Sequence, residues 1–492
     1  MPLVPLQIPP GFHRNGTDLE GAGRWRDGSL VRWREGSLRP IYGWQQRIDS
    51  MFSVAPRALF AWQTAGTDRW IAGGTFNKLI VADSADNVSD ITPVSLTAGT
   101  LSAEPITGYG SGLYGTGFYG VPRVGSGLIG EATTWSLDNF GQYLVACSNA
   151  DGKLYEWQLN TASPAAQIAN APINCTGLMV SEERFLFALG ADGNSRKIAW
   201  CDQENNTLWT PASTNQAGSQ ILQTPGQIRA GVRTIGQTLV LTDVDAHRAV
   251  YVGPPFVYQW ERVGTSCGIA SRKAFAATDM GVFWMGSRGF FWFDGSRVQE
   301  LPCPVWDHVF LDINTDQISK AWAVINGQNS EVWWFYPSST STEIDSYVAF
   351  DFKENHWLIG KMGRTAGFDR GVFSTPIYGD PAGDVYDHET GFNYDGALVY
   401  AESGPANFGG GEFTFNAHKL IPDELTQGDV TLTFKTRLYP NGDETSHGPY
   451  TMANPTSVRF NGRQARMRVT ADTLGAWRFG IPRIEITQAG RR

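Results

Sequence analysis

The sequence predicts an all-β protein: a β-propeller with an N-terminal extended arm and a C-terminal antiparallel β-sandwich-like domain. Three observations predict it: an aromatic- and glycine-rich composition, a hairpin that recurs at blade-like spacing, and a late switch to regular apolar–polar alternation. The 492 residues include 18 Trp, 27 Phe, 16 Tyr and 56 Gly, with only 18% charged. Aromatic side chains suit pleated, half-buried surfaces and glycines suit the tight turns between short strands. The length allows two or three domains, or one large propeller with small additions.

The first predicted unit is residues 1–50, an arm and a hairpin. Pro2 to Pro10 is rich in proline, which fixes φ and removes backbone donors, so an extended segment lying on a neighbouring subunit is expected. "SLVRWREGSLRPIYGW" then reads as a hairpin, Leu30 to Trp33 and Leu38 to Tyr42 around a Glu35-Gly36 turn. Arg14, Arg24, Trp25, Arg32, Trp33 and Trp44 are candidate partner-binding residues, because Arg and Trp are favoured anchors in buried interfaces.

Residues 51–400 are the predicted propeller. The hairpins are "RWIAGGTFNKLIVAD" from Arg69, "YLVACSNADGKLYEW" from Tyr143, "FLFALGADGNSRKIAWCD" from Phe185 and "TLVLTDVDAHRAVYVG" from Thr238. Then follow "VFWMGSRGFFWFDG" from Val282, "EVWWFYP" running on to "YVAFDF" from Glu331, and "GVFSTPIYGDPAGDVYDHE" from Gly371. From Tyr143 onward the starts lie roughly 40 to 55 residues apart, the period of four-stranded blades. An irregular stack of sheets is the alternative, and the number of blades stays open. The wide first interval holds a Gly-rich loop, residues 107–127, in which Tyr109, Tyr114 and Tyr119 recur. Those tyrosines either dock a partner or pack on their own chain.

Residues 401–492 form the third unit. Val458 and Phe460 alternate with Arg459, and Met467 and Val469 with Arg466 and Arg468, which gives one apolar and one basic face. From Thr431 onward ten Lys and Arg stand against four Asp and Glu, a balance of +6 within a net charge of -9, leaving -15 before it. Arg459, Arg463, Arg466, Arg468, Arg478 and Arg483, with Gln464 beside them, are a candidate basic surface for phosphate or an acidic partner; a solvated strand face is the alternative.

Several function classes are disfavoured. The acidic balance argues against general adhesion to nucleic acid. No apolar run reaches eighteen residues and the Pro-rich start is unlike a signal peptide, so neither membrane insertion nor export is expected. Five scattered cysteines, Cys147, Cys175, Cys201, Cys267 and Cys303, form no CxxC pair and read as reduced thiols of a cytoplasmically made protein.

"GTSCG", Gly264 to Gly268, matches a nucleophile elbow at Ser266, but strands and not a helix follow it, so a structural turn is expected. "SNADGKLYEW" from Ser148 departs from the spacing of a sialidase Asp-box, and paired catalytic carboxylates cannot be picked out of so many acids. The acidic turn at Asp380, Asp384, Asp387, His388 and Glu389 fits no EF-hand spacing and reads as solvated. The seven histidines show no paired-ligand spacing. No metal, no cofactor and no catalytic residue is assigned, and the chain is expected not to be an enzyme.

"QIPPGFHRNGTDLEGAGRWRDGSLVRWREGSLRPIYGW", Gln7 to Trp44, resembles the opening of the tail-nozzle (tail tubular) structural family of short-tailed, podovirus-like bacteriophages. Further matches are the Tyr-Gly loop at Tyr109 to Tyr119, "VWDHVF" at Val305, "EVWWFYPS" at Glu331, and "GRQARMRV" with "WRFGIPRIEI" near the C-terminus. The resemblance implies a virion tail protein assembled in the host bacterial cytoplasm. It implies a homohexameric ring below the portal and adaptor proteins, through which double-stranded DNA leaves without sequence-specific binding, and a platform for tail fibres or a tailspike. In this reading, deleting residues 1–12 impairs assembly and leaves the fold intact. The alternative is a propeller-type carbohydrate-binding or glycan-cleaving receptor-recognition protein.

Overall fold

The recurring hairpins become the middle strands of seven antiparallel four-stranded sheets in the computed structural model, which describes residues 3–108, 123–407 and 411–490. Blade 1 opens with Ala58–Gln63, blade 2 with Trp135–Phe140, blade 3 with Gly177–Val180 and blade 4 with Ile228–Thr234. Blades 5, 6 and 7 open with Phe275–Thr278, Trp322–Asn326 and Ala366–Phe368. These seven first strands touch one another in sequence, the last returning to the first, and so enclose a central channel. The fold is a β-propeller.

Each of the seven hairpins from Arg69 onward is the second and third strand of one blade. The reason lies in burial. Leu186–Leu189, Gly281–Met285 and Glu331–Tyr336 are buried at every position, because a neighbouring blade covers each face. Indole N–H groups add direct ties between blades: Trp135 Nε1 donates to the Thr75 carbonyl at 2.6 Å, and Trp322 Nε1 to that of Arg364 at 2.8 Å. All five cysteines are free, and burial pushes the thiols of Cys175, Cys201, Cys267 and Cys303 up to about 12.

Blade 7 has only three strands of its own. Trp44–Ile48 supplies the fourth, pairing antiparallel with Val385–His388, so an early segment closes the ring. The residues before it also return to the chain's own body. Leu3–Pro5 pairs with Arg483–Gln488, and Trp25–Ser29 pairs with Tyr400–Ser403. The arm therefore lies on this chain's sandwich, and the expectation that it lies on a neighbour is corrected.

The sandwich has two sheets. One orders Leu3–Pro5, Arg483–Gln488, Phe415–Ile421 and Thr456–Gly462; the other orders Trp25–Ser29, Tyr400–Ser403, Gln464–Ala471, Val430–Arg437 and Thr445–Thr451. Alternation sends Leu432, Phe434, Met467 and Val469 inward from one sheet and Val458 and Phe460 from the other. Phe434 and Phe460 stack at 4.8 Å between the sheets.

The hairpin forms as Val31–Arg34 and Ser37–Pro40, with Glu35 at φ 53 and Gly36 at φ 77 giving the primed turn that matches strand twist. It is wedged between sandwich and propeller. Arg32 makes two hydrogen bonds to Glu389, at 2.9 and 2.6 Å, and one to Glu331 at 3.1 Å, all three side chains being buried. Glu331 also accepts from Trp333 Nε1 at 2.8 Å, and Glu389 from Asn326 at 2.7 Å. Burial pushes the Glu331 carboxyl up to about 7, against the pull of Arg32 and with help from Glu389. Around this cluster the Leu30 N–H donates to Tyr347 Oη at 2.9 Å and the Phe12 N–H to the Trp357 carbonyl at 2.9 Å.

Two outcomes follow. Deleting residues 1–12 removes Phe12, 1% exposed and edge-on to Trp33 at 4.9 Å, so the truncation lowers stability by about 3–5 kcal/mol in urea unfolding and does not leave the fold intact. Arg32→Ala removes the cation between two buried acidic side chains and costs about 3–5 kcal/mol at pH 9, where both are ionised. Without the guanidinium the Glu331 carboxyl, already at about 7 beside it, takes up its proton at a higher pH than in the parent, so the loss shrinks as pH falls toward 7 and is flat below it; unfolding curves at pH 9 and pH 6.5 measure the difference.

Candidate functional site: the propeller channel and its two mouths

At one mouth, the turns after the first strands of blades 1 to 5 surround a hollow of about 800 Å³. Its lining includes Gln63, Asn139, Gln142, Glu182, Arg184 and Asp279. Ile235 stands 74% exposed at its rim. Each of these side chains lies on or beside a turn whose position is fixed by the strands on either side, so the hollow is a preformed concavity with convergent polar groups.

The channel behind it narrows to about 280 Å³ among Asp138, Arg233, Arg272 and Lys273, with Met179, Val232 and Phe275 as apolar wall. Asp138 Oδ2 accepts from the Val180 N–H at 2.9 Å, and Oδ1 accepts from Arg233 at 2.7 Å, so one carboxylate joins blades 2, 3 and 4. Burial raises the Asp138 pKa and Arg233 opposes that rise. Lys273 faces the same space. Burial pushes its ammonium down to about 8, with Asp138 pulling the other way.

The opposite mouth is a hollow of about 290 Å³ lined by Glu131, Arg229, Arg272, Ser271, Asp316 and Ser319. Glu131 there is shared by Arg229 and Arg272.

The residues chosen from sequence scatter. Trp25, Arg32, Trp33 and Trp44 are buried within the chain, where they cement the joint between propeller and sandwich, so they are not available to a partner. Arg14 is half-buried and pairs with Asp27 at 3.3 Å, while Arg24 is exposed. Tyr109, Tyr114 and Tyr119 lie outside the described residues.

The basic surface is also thinner than its composition suggests. Arg466 pairs with Asp18 and, at 2.7 Å, with Glu444; Arg468 reaches Glu402 at 3.5 Å and lies over the Tyr400 ring at 3.9 Å. Arg463 lies over Tyr439 at 5.4 Å. Gln464 is buried and accepts from Arg437 Nε at 2.8 Å. Arg459, Arg478 and Arg483 are exposed. The carboxylates that answer Arg466 and Arg468 come from distant segments, which alternation along one strand cannot reveal.

Ser266 sits in an exposed turn at φ 56, and Trp284 Nε1 donates to the Cys267 carbonyl at 2.7 Å, which is a structural turn and not an elbow. Asp151 of "SNADGKLYEW" accepts from the Thr97 N–H at 3.0 Å and from Lys153 and Tyr155, a structural role. In the acidic turn, Asp380 accepts three successive backbone N–H groups at 2.9 Å, Asp387 serves Arg47, and Glu389 serves Arg32, so these oxygens do not converge. Sequence reasoning missed Asp138 and Lys273, each isolated in an ordinary strand or loop with nothing to mark the shared channel. No helix among the described residues is long and apolar enough to cross a membrane.

Fold and channel together define a seven-bladed propeller protein with a sandwich built onto it. No family model and no curated protein matches the chain. Among solved structures it is similar to virginiamycin B lyase from Staphylococcus aureus, at 7% identity and a TM-score of 0.45, over 70% of this chain and 98% of that one. It is also similar to a streptogramin B lyase, at 9% and 0.43 over 70% and 97%, and to the Pan2 WD40 domain of Neurospora crassa, at 7% and 0.39 over 72% and 95%. These likenesses concern the propeller alone. At such identities and TM-scores the likeness shows a propeller fold and no reaction, and the expectation that this chain is not an enzyme is withdrawn.

The channel lysine yields a prediction with a definite sign. A folded-state pKa below the unfolded value means that the unfolded chain holds more protons between about pH 8 and 10.5, so this residue's contribution to stability rises with pH there and is lost on going down through 8. Lys273→Met should therefore unfold at a higher temperature than the parent at pH 7, with the gap closing by pH 10 in thermal melts.

Proposed function

We propose that this chain is a wall subunit of a bacteriophage tail, forming a nozzle ring below the portal and adaptor through which the genome passes. The observation that carries the reading is where the resembling stretch sits. Gln7 to Trp44 is the joint of the molecule: it contributes a strand to the sandwich and, ending in Trp44–Ile48, a strand to blade 7, with Arg32 buried between blades. A subunit that must hold shape while DNA moves past it needs its two parts locked together. The balance of -15 before Thr431 supports sliding over gripping, since carboxylates repel phosphate. Leu425, Leu438, Tyr439 and Leu474 are exposed on the sandwich and offer apolar contact area for neighbouring subunits or fibres.

A second reading, glycan recognition on a receptor, is favoured by the 800 Å³ mouth and its amide, carboxylate and guanidinium side chains. The two readings separate cleanly. Light scattering should give a closed oligomer, alone or on adaptor or portal rings, and Leu425→Asp with Leu474→Asp should weaken that assembly roughly tenfold or more. A monomer that ignores those rings, and that binds or trims a polysaccharide in a manner abolished by Glu182→Gln and Asp279→Asn, would replace the first reading with the second.

A further inference from the structure

Between the third and fourth strands of blade 6, Ser346–Asp351 and His356–Lys361, the turn "DFKENH" brings together Asp351, Glu354 and His356. Asp351 and His356 form the last cross-strand pair before the turn, and Asn355 at φ 56 lets the chain reverse tightly. One ligand atom from each of the three side chains lies within 4.8 Å of the others.

The imidazole is the unusual member. His356 is 7% exposed, and its Nε2 is buried with no hydrogen-bond partner. That nitrogen faces Asp351 Oδ2 at 3.9 Å, too far for a hydrogen bond. Ligand atoms bound about 2.0–2.1 Å from a tetrahedral ion stand roughly 3.3–3.5 Å apart, so the gap is close to one that a small cation would bridge.

The surroundings hold the three groups in place. Asp351 Oδ1 accepts the N–H groups of Lys353 and Glu354 at 2.9 and 2.8 Å, which directs Oδ2 toward the imidazole. Glu354 Oε1 accepts the Glu35 N–H at 3.0 Å. The Trp33 ring stands edge-on to His356 at 6.0 Å, and Gly11 packs so tightly that a Cβ there would come within 2.6 Å of His356 Cβ. Charge is also out of balance here: Asp351 pairs across the strand with Glu331, and Arg32 is already committed to Glu331 and Glu389.

We propose that Asp351, Glu354 and His356 bind one divalent transition-metal ion, with Zn²⁺ the best match to an imidazole and two carboxylates, and with water completing the coordination on the exposed Glu354 side. Through the Glu354–Glu35 hydrogen bond the ion pins the hairpin Val31–Arg34/Ser37–Pro40 to blade 6, and so strengthens the joint between sandwich and propeller.

The test uses the full chain freed of metal by chelation, titrated with ZnCl2 by calorimetry and followed in thermal melts, with MgCl2 as the hard-ion control. The expected result is saturable binding of one Zn²⁺ per chain, a higher melting temperature with Zn²⁺ than with Mg²⁺, and binding weakened about 10-fold or more in Glu354→Gln, since losing a ligand costs at least as much as losing an outer-shell partner. His356→Gln should abolish binding, and Asp384→Asn, in the acidic turn of blade 7, should leave it unchanged. Absence of stoichiometric Zn²⁺ binding, or undiminished binding in Glu354→Gln, overturns the proposal. If His356→Gln does not fold, Glu354→Gln alone decides, because that side chain is exposed and packs in no core.

Discussion

Arg32 is the pin on which the molecule turns. Its guanidinium, carried by a hairpin of the first forty residues, is buried between a carboxylate of blade 6 and one that follows the third strand of blade 7. A buried charge is tolerable only when its partners are oriented and themselves satisfied, and Trp333 and Asn326 do that for Glu331 and Glu389. The hairpin cannot shift without stranding three charges. Blades 6 and 7 are held in register against the hairpin by that constraint.

The sequence revealed those parts of the fold whose local pattern matches their environment. The seven hairpins were visible because the second and third strands of each blade are covered on both faces and read as unbroken apolar or aromatic runs, such as "EVWWFY" and "LFAL". First strands were harder to see, since they line a channel and carry groups such as Asp138 and Arg233 among apolar residues. The outer strands of blades 1 to 3 are short and largely exposed, Ala166–Gln167 being the extreme. The closing strand Trp44–Ile48 was hidden altogether: "WQQRI" gives no sign that its partner is "VYDH" of blade 7.

The same logic explains the misplaced site residues. Arg and Trp in the first fifty residues have the composition of an interface, and an interface is what they form, but between two parts of one chain. Trp25 and Trp33 are buried against each other at 6.0 Å, a contact that composition cannot distinguish from one with a second protein. Arg466 and Arg468 of "GRQARMR" likewise met carboxylates from Asp18, Glu402 and Glu444, supplied by other segments. Conversely, the polar groups gathered in the channel and at its mouths come from five or more blades, each contributing a residue unremarkable in its own stretch of sequence.

The ring closure has a consequence for how such a chain can be made. Blade 7 is complete only when residues 385–388 meet residues 44–48, and the sandwich only when residues 483–488 meet residues 3–5. On the ribosome the first fifty residues therefore emerge long before their partners exist, carrying exposed Trp and unpaired strand edges that are open to wrong associations. Blades 1 to 6 can collapse in order as they appear, whereas both closures must wait for late synthesis. The slow, non-local steps thus fall at the end of folding, and the nascent N-terminal segment is where a chaperone would have most to shield.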